Sequence, residues 1–182
     1  MRIDDGIGRG YQALVDSDNR LAVQSITRSE HLDAAEKGLG YFFTSGAISL
    51  TTTASESGLF YIKNTSANDF HIESVEFTSS QSGVWSFYKN TTSGTLVSGA
   101  VAGTVTNANF TSANVFVGDV YKGADANTIT DGTAFHVHIG SEDDIELGGA
   151  MVLESDNSMA IGFNPDAAAT VSINILGYYV IG

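Results

Sequence analysis

The chain has 182 residues, 21 acidic and 8 basic, giving a formal net charge of -13, with one proline and no cysteine. That is the length of one ordinary domain, able to bury about two-thirds of the surface its unfolded chain exposes without a disulfide or metal staple. The acidity argues against nucleic acid and anionic membrane as partners, because both are gripped through Lys and Arg, and no apolar run approaches the ~18 residues that span a bilayer.

Ser, Thr, Asn and Gly make up more than a third of the chain, yet 42% of it is apolar and 10% aromatic. That is too much apolar surface to leave in water, so the composition predicts a folded, turn-rich β protein. The absence of cysteine leaves the redox compartment open. Met-Arg-Ile-Asp-Asp at the start lacks the ~7–15-residue apolar core of a secretory signal.

Residues 1–37 read as a separate unit. All four arginines (Arg2, Arg9, Arg20, Arg28) fall here, whereas nine acids and no base follow Lys122. To about Asp18 the segment is glycine-rich and aperiodic, an extended arm feeding a first short strand at Leu21, Val23 and Ile26. Thr27 with Glu30 fits a capping box, and the run to Lys37 followed by Gly38 predicts one short helix with a glycine stop. Gly6-Ile-Gly8-Arg-Gly10 lacks the preceding strand and spacing of a dinucleotide site. Asp16-Ser-Asp18-Asn19 lacks the glycine and distal Glu of a calcium loop and reads as a turn.

From residue 38 to 182 the pattern is β throughout. Alternating runs fall at Tyr41–Phe43, Ala47–Leu50, Leu59–Lys63, Phe70–Phe77, Val84–Lys89, Thr95–Val97, Val115–Tyr121, Ala134–Ile139, Ala150–Leu153, Met159–Phe163 and Val171–Val180. Turn chemistry such as Ser79-Ser-Gln-Ser-Gly83 separates them. With no crossover helices available for a parallel sheet, the expected fold is all-β, an antiparallel two-sheet sandwich of jelly-roll type with an N-terminal arm. Within Phe70–Phe77 the alternation slips near Ser74, as a bulge makes it do. In Ala134–Ile139, Phe135, Val137 and Ile139 share one face and His136 and His138 the other. The apolar C-terminal run, with Tyr178, Tyr179 and Ile181, predicts burial centrally in a sheet or at an oligomer contact.

Chemistry is sparse. His136 and His138, with Asp143 in the acidic stretch Glu142–Glu146 on a following turn, are the one constellation that offers nitrogen and oxygen ligands to a divalent ion. The spacing fits no closed zinc signature, and a solvated strand face with an acidic loop is the competing reading. Trp85 and Phe87 share a face, suited to a core or, if exposed, to stacking on sugar rings. There is no thiol, no Gly-x-Ser-x-Gly elbow and no His-Glu-x-x-His helix, so the sequence predicts a non-enzyme that needs no cofactor.

The stretch Gly8-Arg-Gly10-Tyr11-Gln-Ala13-Leu-Val15-Asp16, followed by Asn19-Arg20-Leu21-Ala-Val23, resembles the opening of a group of virion structural proteins of tailed bacteriophages. Gly38-Leu-Gly40-Tyr41, Phe60-Tyr-Ile-Lys63-Asn64 and Val120-Tyr121-Lys122-Gly123-Ala124 resemble later motifs of the same group. The resemblance implies a capsid decoration or cement protein of jelly-roll type. It would be assembled in the host cytoplasm and placed on the capsid surface, with the major capsid protein and copies of itself, as a trimer, for partners. Arg2, Arg9, Tyr11, Arg20 and Arg28 would then form a capsid-binding arm. A tail, baseplate or fibre component and a carbohydrate-binding module of the virion are the alternatives.

Overall fold

The computed structural model describes residues 30–51, 54–98 and 100–180, together with the backbone of three short strands before them. Those three, β1 (Arg2–Asp4), β2 (Gln12–Val15) and β3 (Leu21–Ala22), pair antiparallel in a small sheet of their own. The expected extended arm thus carries a short β meander in its described part. The side chains of Arg2, Arg9, Tyr11, Arg20 and Arg28, and Thr27 of the expected capping box, lie outside the described residues.

Helix α1 (Glu30–Glu36) follows and stops where the glycine predicts. Gly38 sits at φ 71°, with Leu39 N–H donating to Ala34 O (2.8 Å) and Gly38 N–H to Ala35 O (3.0 Å). This is the paired bonding of a Schellman cap, which calls for a left-handed residue. A Cβ at Gly38 would also lie 2.1 Å from Ser112 Oγ.

The body consists of β4 (Gly40–Thr44), β5 (Ile48–Leu50), β6 (Ser57–Asn64), β7 (Phe70–Lys89), helix α2 (Thr95–Ser98), β8 (Val101–Ala102), β9 (Thr104–Asn107), β10 (Gly118–Lys122), β11 (Thr133–Leu153), β12 (Ser158–Pro165) and β13 (Ala169–Tyr179). All pairings are antiparallel, and the path runs β8-β10-β6-β12-β7-β13-β4-β9, with β11 added to β7 and β5 to β13. The all-β antiparallel class expected from the sequence holds. The two ends of the path, β8 and β9, are joined in the chain by Gly103 alone, so the sheet is nearly closed.

Strand β7 makes this possible. Ser79–Gly83, expected as a turn between two strands, is instead the corner of one 20-residue strand. Before the corner β7 pairs with β13, and after it with β12. Residues ten apart in a straight strand are separated by about 33 Å, yet the rings of Phe77 and Phe87 lie 5.3 Å apart. The strand therefore bends back on itself, so that its two halves line one common core. Gly83 is required at the bend, because a Cβ there would meet Asn164 O at 2.4 Å and the Phe163 ring at 2.6 Å.

The slip near Ser74 is a bulge. Leu176 pairs with Ser74 and Gly177 with Ile72, leaving Glu73 as the extra residue. The buried positions accordingly change from Phe70 and Ile72 to Val75 and Phe77. One end of the core is built from Trp85, Phe77, Phe87 and Phe163, with Trp85 and Phe163 4.1 Å apart. The other end gathers Tyr41, Phe43, Phe70, Phe116 and Tyr179.

Two expected strands differ. Thr95–Val97 lies in the short helix α2, where Leu96 is fully buried against Tyr61 and Ala160 as a plug on the outer face of β6. A three-residue apolar run has no period of its own, and the packing decides its form. In Val115–Tyr121 the strand begins only at Gly118, because the segment before it inserts Phe116 into the core while Val115 stays exposed.

Candidate functional site

The histidines and acids singled out in the sequence all lie on β11, one 21-residue strand. Glu142–Glu146 is therefore not a turn after a strand but the middle of the strand itself, laid along Thr78–Ser74 of β7. The structure brings His138 and Asp143 together, with Nδ1 and Oδ2 3.3 Å apart. His136 instead packs edge-on to Phe87, with ring centroids 5.3 Å apart. Among the described residues no three His, Cys, Asp or Glu side chains form a group able to hold a metal ion. His138 and Asp143 make a pair, one or two ligands short of what zinc takes from a protein and further short of the six to eight oxygens of calcium.

The faces of this strand depart from the solvated-histidine reading only at His138, for a local reason. Ala134 pairs with Tyr88 and His136 with Phe87, so Phe135 is bulged out of the ladder. His136 and His138 stand opposite the buried Phe87 and Trp85; His136 is exposed, as the solvated reading expects, whereas His138 is half-buried and packs edge-on to Phe77. Val137 and Ile139 stand opposite Ser86 and Val84 on the outer face and are 55% and 78% exposed. Phe135 has its ring 6.3 Å from Phe87, off the face of the other two.

Tyr178 and Tyr179 are core residues of this chain, 4% and 5% exposed. Tyr178 stacks on His71. The Tyr179 hydroxyl donates to Val117 O (2.9 Å), its ring stacks on Phe116, and burial pushes its pKa up to about 12. Strand β13 runs centrally between β7 and β4, so the apolar run fills the fold's own interior and leaves little ring surface for an oligomer contact. Ile181 lies outside the described residues. Trp85 and Phe87 are 0% and 1% exposed, which removes them as a stacking surface for sugars. The hydroxyl of Tyr88, the next aromatic along, donates to Glu56 (3.0 Å).

No family model, curated protein or solved structure matches the chain.

What sequence reasoning missed is an edge. The path ends β8 and β9 are joined through Gly103, but the side of β11 away from β7 has no ladder partner among the described residues. An open row of N–H and C=O groups of this length is a template for another strand unless charge or distortion blocks it. The middle of β11 is blocked by Glu142, Asp143, Asp144 and Glu146. The Thr133–Gly140 stretch carries no Asp, Glu, Lys or Arg. No sequence signal says which strand of an antiparallel fold will be left at an edge, since that is a property of the pairing order.

Proposed function

We propose that the chain is a structural component of a tailed-phage particle, a decoration or cement protein that binds the assembled head through the major capsid protein and stabilises it. The observation that carries this reading is the run of motifs at Gly8–Val23, Gly38–Tyr41, Phe60–Asn64 and Val120–Ala124, which follows the phage virion pattern along most of the chain. The architecture agrees with such a role. The aromatic side chains are largely spent on an interior, the histidines and acids do not converge on a reactive centre among the described residues, and the features left outward are an open strand edge and acidic surface. In this reading the arginine-bearing N-terminal segment meets the shell, and the acid-rich, base-free stretch after Lys122 faces solvent and keeps finished particles apart. The work done is thermodynamic. A protein that binds only the assembled shell stabilises it by about 2.7 kcal/mol at a hundredfold excess over Kd, and several copies linked on one lattice site raise the effective concentration of each arm.

Electron microscopy of the particle tests this directly. Density for the β body on the outer surface of the head is expected, and density at the tail or baseplate, or none on the particle, overturns the decoration reading. Deletion of residues 1–18 is the companion test: head binding is lost while the β body keeps its circular dichroism, and retained binding removes the arm from the mechanism.

A further inference from the structure

We infer that the free edge of β11 around His138 is a symmetric contact with a second copy of this chain. Three observations lead there. First, the edge between Thr133 and Gly140 is hydrogen-bond-open among the described residues and presents Val137 and Ile139 outward, beside Val84. Second, the stretch carries no Asp, Glu, Lys or Arg, so nothing in it selects a partner of opposite charge, whereas its apolar positions match themselves. Laid antiparallel about His138, Val137 falls opposite the second copy's Ile139 and Ile139 opposite its Val137, placing four aliphatic side chains in one cluster on the outer face.

Third, the acids exclude a contact centred further along the strand. Centring the pair on Asp144 would set Glu142, Asp143, Asp144 and Glu146 against their own copies, and like charges directly opposed across strands are destabilising. Centring it on His138 keeps the two acidic runs more than about 25 Å apart, beyond two Debye lengths at physiological salt.

The size of the contact sets its strength. Centred on His138, the regular edge between the bulges at Phe135 and Ser141 pairs His136–Gly140 with itself, a ribbon of five residues about 17 Å long, which falls short of the ~800 Å² per partner of a stable complex. The dimer is therefore weak, and populated where copies are already held side by side. A contact of this symmetry closes on two copies, so it supplies a dimer and not the trimer expected from the sequence. It concerns the isolated chain and does not depend on the virion reading.

Sedimentation velocity of the full chain, from about 1 to about 500 µM, should show the mass rise from 19.1 kDa toward twice that value. Val137→Lys with Ile139→Lys should weaken association at least tenfold with an unchanged circular dichroism spectrum. The native chain has no cysteine, which permits a positional readout. His138→Cys lies opposite itself at about 5 Å between Cα atoms, within disulfide reach, and should cross-link under mild oxidation, while Glu146→Cys should not. A 19.1 kDa species throughout the range, or His138→Cys cross-linking no faster than Glu146→Cys, overturns the inference, and a partner of another kind would then have to cover the edge.

Discussion

The Asn64 side chain ties the loop that follows β6 to the end of β11, and Asn64→Asp tests whether its bonds hold them. Asn64 is fully buried; its amide nitrogen donates to Leu153 O (2.7 Å) and Asn68 O (2.9 Å), and its carbonyl oxygen accepts from Ser66 N–H (2.9 Å). Aspartate keeps the shape and the acceptor but turns the donor into a second oxygen facing two carbonyls. Two bonds at ~1 kcal/mol each are lost, and the buried Leu153 carbonyl, left without this donor, costs a further ~1–3 kcal/mol. The expected loss at neutral pH is thus about 3–5 kcal/mol, a large part of a typical domain's stability.

The buried carboxyl is also disfavoured in its charged form, so its folded pKa lies above its unfolded value of about 3.9. A group raised in this way leaves stability intact below the unfolded pKa and removes it as pH rises through the folded pKa. Urea unfolding of both proteins at pH 4 and pH 7 therefore reads a gap between variant and native chain that is wider at pH 7. A gap below about 1 kcal/mol that is the same at both pH values would refute the reasoning, because it would mean that the amide's donors are replaceable.

Two further outcomes follow from the packing. Gly83→Ala forces a Cβ against Asn164 O and the Phe163 ring at the corner of β7, an overpacking worth about 2–3 kcal/mol. In a chain of this length that lowers Tm by about 5–10 °C, readable by calorimetry, and an unchanged Tm would show that the corner yields. Tyr179 has its pKa raised to about 12 by burial, so the stability it contributes is complete below the ordinary tyrosine pKa near 10 and drains away as pH rises toward 12. Alkaline unfolding should therefore be shallower in Tyr179→Phe than in the native chain over that window, and parallel curves would remove Tyr179 as the cause.

The two kinds of information divide along a physical line. Composition and short-range alternation were enough for the all-β class, the short helix with its stop at Gly38, the bulge near Ser74 and the burial of the C-terminal strand. Each depends on the local period of apolar residues or on the backbone freedom of one glycine, which neighbours in sequence determine. Ser79–Gly83 has the composition of a turn, and only the pairing of β7 with β13 on one side of it and β12 on the other makes it a corner in a continuous strand. Likewise the alternation of Phe135 to Ile139 is visible in the sequence, but the single unpaired residue at Phe135 sets the histidines opposite Phe87 and Trp85, with His136 exposed and His138 half-buried, and leaves Val137 and Ile139 outward. Which strand stays at an edge, and whether His138, His136 and Asp143 converge, are decided by contacts between residues far apart in the chain, and no local pattern encodes them.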